Sequence, residues 1–302
     1  RSGNGHGRVH WSGNFDEIQD FENDIRGAFG GRGLMADAAF FDGTRSQPLG
    51  DPKAGSSADL DALAAYVTSL ASVDPSPHRL ANGQLTAQAV AGKQLFDELQ
   101  CATCHGGPGF TNSPLGVLHD VGTAQPGSGQ RLGRTLFGLD TPTLKGLWQS
   151  APYLHDGAAK TLDEVLMQYN PNDLHGQTAN LSATERSQLV AYLLQIDDSE
   201  SGFQTPQQGG QLTEPANGTI FTEGDDIELA AEVTAAGGPI VEVAFYVFND
   251  MLADDQLIAV DRNDSDGWQA IWRNPPPASH EVTAVVVYAD GHRTALPAVR
   301  IE

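Results

Sequence analysis

The sequence predicts a multidomain chain in which mainly α-helical domains are followed by an antiparallel all-β sandwich. Three observations carry this reading. Two capping boxes, Thr161 with Glu164 and Ser182 with Glu185, open apolar runs of helical period. Beyond residue 212 the chain instead alternates apolar and polar residues in short runs parted by turn signals. Between the two textures, Ser199 to Gly210 has the Ser, Gln, Gly and Pro content of a linker. The expected boundaries are 1–78, 79–198, a linker over 199–212, and 213–302.

Composition narrows the partners. With 39 acidic and 17 basic residues among 302, the net charge is −22, which repels nucleic acid and anionic membrane alike. A solvated, soluble surface is the plainer reading, and a basic protein partner the sharper one. No apolar run approaches the length of a membrane span. The chain opens on Arg1 without a signal-like segment, so it is read as a mature or excised form whose export signal lies upstream.

One motif carries chemistry. The two cysteines of the chain stand at Cys101 and Cys104, followed at once by His105. C-x-x-C-H is the attachment pattern of haem c: two thiols a helical turn apart bond the vinyl groups, and the adjacent histidine becomes the proximal iron ligand. A thioredoxin-like dithiol needs a βαβ setting, and zinc needs two further ligands at matching spacing; neither is present in the sequence. One covalent haem c is therefore expected, and its attachment outside the cytoplasm places the protein in the periplasm or beyond the cell. Around the motif, Thr86 caps an expected helix with Ala89, Val90, Lys93 and Phe96 on one face. A Gly/Pro-rich stretch to about Gly138 suits wrapping a haem, and the helix opened by Ser182 runs through Leu189, Val190, Leu193 and Leu194 to Ile196.

Ala151-Pro152-Tyr153-Leu154-His155-Asp156-Gly157, followed by Thr161-Leu162-Asp163-Glu164-Val165, resembles the C-terminal haem domain of the bacterial di-haem cytochrome c peroxidase and MauG family. Thr141-Pro142-Thr143-Leu144 and the final helix fit the same resemblance, which covers roughly residues 80–198. Upstream, His10-Trp11-Ser12-Gly13 and Phe15-Asp16-Glu17-Ile18-Gln19 resemble the latter half of that family's N-terminal haem domain, with Asp59 to Leu70 as its closing helix. The resemblance makes Trp11 the tryptophan that bridges the haems; a core aromatic is the plainer reading. Two departures stand against peroxidase activity of this polypeptide. It has no N-terminal C-x-x-C-H, and Leu34 precedes Met35 where the family has its catalytic glutamate.

The distal ligand is left between several side chains. Aligned through His155-Asp156-Gly157, the resemblance implies Tyr169, which shares a helical face with Leu162, Val165 and Leu166, whereas Met167 points away. His175 lies in the loop before the last helix, and imidazole is a commoner iron ligand than a phenol that must ionise. His175 is favoured and Tyr169 is the alternative; a methionine or an open site completes the set. Met35 and Met251 lie outside the domain. His119 and His155 are read as supporting groups around the pocket, bonding a propionate or a carbonyl, with turn chemistry equally able to explain His155. By resemblance, the backbone carbonyls of Ser150 and Pro152 help hold calcium.

Beyond the linker, Ile227 to Ala230, Val241 to Val247, Trp268 to Trp272 and Val282 to Tyr288 read as strands. Ala236-Gly237-Gly238-Pro239 and Asp290-Gly291 supply turns. This third resembles the bacterial immunoglobulin-like modules appended to secreted polysaccharide-degrading enzymes and surface proteins. Trp268 and Trp272 share a strand face, read as core rather than as a sugar platform, and neither Asp254-Asp255 nor Asp261 to Asp266 matches a calcium loop. Three functions follow as expectations. The first is a one-electron carrier working between redox protein partners. The second is the electron-input half of a di-haem peroxidase or MauG-like oxidase, and the third a polysaccharide- or surface-targeted cytochrome feeding a secreted oxidase.

Overall fold

The structure, a computed structural model, describes residues 7–301 except 116–117, 126, 132–133, 137, 204–209, 234–238, 250–253, 278–279, 290–292 and 297. Met251, residues 236–238 of the first predicted turn, and Asp290-Gly291 thus lie outside the described residues. The N-terminal segment contains three helices, α1 (Phe21–Arg26), α2 (Asp37–Phe40) and α3 (Ala58–Ser69). Ser57 caps α3 by accepting from the Leu60 amide, so the expected closing helix forms. Its small core is Met35, Phe40 and Leu60. Polar contacts do much of the remaining work there: the buried Lys53 ammonium meets Asp20 at 2.6 Å. Buried Glu22 accepts from the Leu34 and Met35 amides and pairs with Arg26 at 2.7 Å. The backbone beside Met35, where the resemblance leads one to expect a glutamate, thus receives a carboxylate from elsewhere in the chain, already neutralised by an arginine.

Three further helices follow: α4 (Ala87–Glu98), α5 (Leu162–Leu166) and α6 (Ala183–Leu193). Thr86 caps α4, and both predicted capping boxes close in both directions, at Thr161/Glu164 and Ser182/Glu185. Helices α4 and α6 pack through Ala89, Phe96, Leu189, Tyr192, Leu193 and Ile196. The expected inward face of α4 needs one correction: Val90 is 47 % exposed, and Gly92 takes the inward place. A Cβ on Gly92 would stand 1.9 Å from the Gln188 carbonyl, so the absence of a side chain is what allows the close approach to α6. The face containing Tyr169 also needs correcting, since α5 stops at Leu166 and Tyr169 lies past its end. Ser182→Ala removes an N-cap of α6 and is expected to lower stability by about 1 kcal/mol. A shift of the urea midpoint with unchanged slope would check this.

Among its described residues the Gly/Pro-rich stretch contains four short strands, β1 (Leu118–Asp120), β2 (Gln130–Arg131), β3 (Arg134–Thr135) and β4 (Leu139–Asp140). The part around the haem motif is therefore less helical than the sequence predicts. The expected linker also starts late. Glu200 is buried, Phe203 stacks on Phe96 at 5.1 Å, and the Phe203 carbonyl accepts from Gly107.

Among the described residues the C-terminal third holds eight strands: β5 (Gly210–Glu214), β6 (Ile227–Val233), β7 (Ile240–Asn249), β8 (Asp254–Asp261), β9 (Trp268–Trp272), β10 (His280–Tyr288), β11 (Arg293–Ala295) and β12 (Val299–Ile301). One sheet has the order β5-β6-β9; the other runs β11-β10-β7-β8, with β12 also on β10. All these pairings are antiparallel. Alternate residues of β6 and β10 enter a shared core built on Leu229, Phe245, Ala284 and Val286. Trp268 and Trp272 pack against that core, as their shared face predicts. Among the described residues, no helix is long and apolar enough to cross a membrane.

Candidate haem site

The motif sits where α4 ends. Gln100 takes a left-handed backbone (φ 57°) and starts a 3₁₀ turn over Cys101–Thr103. The amides of both Cys104 and His105 donate back to the Cys101 carbonyl, so one tight turn gathers the three residues. The cysteines form no disulfide, and burial pushes each thiol up to about 12. His105 Nδ1 faces the Phe110 carbonyl at 3.4 Å, a long contact, and the Pro142 carbonyl also bonds the ring. Burial, followed by the neighbouring His175, lowers the His105 imidazole to about 3. Burial lowers His175 as well. Both rings are therefore held neutral, the form in which imidazole binds a metal.

His175 comes from the loop after α5. Its ring centroid lies 6.2 Å from that of His105, with the planes inclined at 39°. An iron about 2 Å from one nitrogen of each imidazole requires ring centroids about 6 Å apart. Two thiols, a histidine on the same turn and a second histidine at this distance are a donor set that fits haem c.

The loop is locked by two residues that sequence reasoning passed over. Buried Asn170 accepts from the His175 amide at 2.8 Å and donates to the Gly176 carbonyl at 2.7 Å and to Thr178 Oγ1 at 2.8 Å. Asp173, itself left-handed (φ 55°), accepts from the Thr178 and Ala179 amides, both at 2.8 Å. The Asn-Pro-Asn-Asp run over 170–173 was the available signal, an Asx-rich turn that fixes backbone.

The other expected residues are dispersed. The Tyr169 hydroxyl donates to the Ala158 carbonyl at 2.9 Å, and Met167 is exposed. His155 Nε2 meets Ser128 Oγ at 2.8 Å, and its ring stands edge-on to Trp11 at 6.4 Å. Trp11 is 39 % exposed, so it is not a core aromatic. His119 is buried within β1, with Nε2 beside Asn112 Nδ2 at 2.9 Å. Ser150 follows a 3₁₀ turn, and the Ala151–Pro152 bond is cis. Among the described residues no cluster of three or more His, Cys, Asp or Glu stands ready for a metal ion. Calcium held by backbone carbonyls would not appear in such a cluster.

Fold and site together define a cytochrome c-like unit joined to an immunoglobulin-like module. The family comparisons agree: residues 138–172 match the model described as RoxA-like, cytochrome c-like, and residues 210–284 match that of a bacterial Ig domain. Among proteins of known identity, the chain is similar to hydrazine synthase subunit gamma of Kuenenia stuttgartiensis, with 32 % identity over 44 % of this chain and 48 % of that protein. It is also similar to the methylamine utilization protein MauG of Methylorubrum extorquens, at 30 % identity over 48 % of this chain and 46 % of that one. Cytochrome c551 peroxidase of Nitrosomonas europaea is 28 % identical over 40 % and 38 % respectively. The chain thus spans about half the length, or less, of these relatives. Among solved structures, fibronectin(III)-like modules of Clostridium thermocellum CbhA align over 30 % of this chain and 44 % of that chain, at 26 % identity and a TM-score of 0.27.

Proposed function

We propose that the chain is an exported c-type cytochrome that carries one covalent haem and passes single electrons between redox protein partners. The observation that carries this reading is the pair of His105 and His175, whose ring centroids lie 6.2 Å apart, a spacing at which the two imidazoles would hold an iron between them. Haem supplies a one-electron iron couple when bound, and the polypeptide sets its position and environment. Cys101 and Cys104 anchor it, the Phe110 carbonyl orients His105, and Asn170 with Asp173 fixes the loop presenting His175. Export is supported by the attachment motif and by the bacterial Ig match.

Visible and EPR spectra of the purified oxidised and reduced protein, with and without peroxide or cyanide, test this reading. A low-spin, bis-imidazole signal indifferent to both reagents is the expected result. A high-spin signal, or one that peroxide shifts rapidly, would instead favour the second reading, the electron-input half of a peroxidase or MauG-like oxidase. That second reading draws on the relatives named peroxidase and MauG. The third reading, polysaccharide targeting, loses its aromatic platform because Trp268 and Trp272 pack on the sandwich core.

A further inference from the structure

We infer that the immunoglobulin-like sandwich is clasped in cis to the haem-bearing unit, with β1 adding edge-on to β11 and Leu118 covering the outer face of β10 at Val285. On this reading the sandwich is a fixed wall of the haem unit and not an arm swinging on a linker. The larger sheet does not stop at the sandwich: its order is β4-β1-β11-β10-β7-β8. The added pairs are His119 with Thr294 and Asp120 with Arg293 on one side of β1, and Leu118 with Asp140 and His119 with Leu139 on the other. In a free sandwich β11 would present an unpaired edge, which folded proteins avoid leaving open.

The packing of β10 is an independent observation. Its residues 284 and 286 point into the sandwich, so Val285 points outward, where a solvated sheet face carries polar residues. Val285 is nevertheless only 7 % exposed, because it packs with Leu118 and the half-buried Tyr246. Leu118 is held in turn by close backbone: a Cβ on Gly13 would come within 3.2 Å of it and one on Gly138 within 3.1 Å. Charge closes the rim, where Arg8 of the N-terminal segment meets Glu281 of β10 at 3.1 Å. Any ligand or partner of the sandwich must therefore use a surface other than this face of β10 and the β11 edge.

Amide hydrogen exchange on the intact, haem-loaded chain tests the clasp. The segments 118–120 and 293–295 are expected to exchange at least about a hundredfold more slowly than unstructured peptide. Val285→Asp is expected to erase the protection of the amides that bond across the β1/β11 seam, while those bonded to β4 or β10, and β6 and β9, stay protected. Fast exchange of both segments in the unsubstituted protein would overturn the inference. So would protection of the amides bonding across the β1/β11 seam that survives Val285→Asp in a folded sandwich. If Val285→Asp does not fold, a protease site inserted between Gln207 and Gln208 of the otherwise natural chain decides. Fragments that co-elute at the mass of one intact chain after cleavage support the clasp. Separation overturns it, as does elution at twice that mass, which would mean pairing between two copies.

Discussion

Replacing His175 with alanine is expected to convert a low-spin haem protein into a high-spin one that binds cyanide and reacts with peroxide. The prediction follows from the closeness of the two imidazoles, since removal of His175 would leave His105 as the one histidine able to hold the iron there. Covalent attachment is expected to survive, because Cys101, Cys104 and His105 belong to a different turn from the 170–178 loop. The control is Tyr169→Phe. The Tyr169 hydroxyl is already committed to the Ala158 carbonyl, so its loss is expected to leave the spectrum unchanged. The opposite pattern, with Tyr169→Phe altering the spectrum and His175→Ala leaving it intact, would make the phenol the ligand. His175→Met refines the test: a His/Met pair holds a higher reduction potential than two imidazoles, so the midpoint should rise while the iron stays low-spin. Asn170→Ala separates positioning from ligation. It leaves the His175 side chain unchanged but removes the acceptor of its amide and the Asn170 bonds to Gly176 and Thr178, with Asp173 still holding the loop. A mixture of spin states that cooling shifts toward low spin is the expected outcome.

The sequence announced some of this site and concealed the rest, and the division has physical causes. Cys101, Cys104 and His105 are legible because attachment needs contiguous residues on one turn, so the chemistry is written in local spacing. The helix starts are legible for the same reason, since a capping box closes within four residues. The sandwich strands are legible because one buried face imposes a period of two. The choice between His175 and Tyr169 is not local. It depends on where α5 stops and on how Asn170 and Asp173 fold the loop, and Asx turns resemble any other polar loop in one dimension. Gly92 is not legible in this way, because periodicity counts apolar side chains, whereas its role is to have none. The joining of β1 to β11 bridges more than 170 residues of separation, and a strand of three residues leaves no period to read.

The junction between the haem unit and the sandwich leads to the second large effect: Asp140→Asn is expected to stabilise the protein above pH 7 and to change little near pH 4. Asp140 lies on β4, buried, where burial raises its carboxyl to about 7 from an ordinary 3.8, against opposing help from Ser113 Oγ at 2.7 Å and from Arg8. The charged group acting on it is Arg8, itself drawn to Glu281. A carboxyl raised in the folded state contributes stability that is full below the unfolded value and is lost as pH rises through the folded one. For Asp140 that window runs from about pH 4 to about pH 7. A carboxyl raised from 3.8 to about 7 corresponds to roughly 4 kcal/mol when fully expressed, and relaxation of the junction reduces it. Asparagine keeps a carbonyl to accept from Ser113 and carries no charge, so its stability should stay flat across the window. Thermal unfolding of the haem-loaded protein at pH 4, 6 and 8 measures this, with a gain of roughly 5–10 °C expected at pH 8 for a few kcal/mol. A loss at pH 8 would mean that the Arg8 attraction outweighs desolvation and that Asp140 is an ionised partner in the folded protein. Because Asp140 pairs with β1 and β1 with β11, the same melts also report whether haem unit and sandwich unfold together: one transition that moves as a whole with Asp140→Asn requires the two to be a single cooperative body.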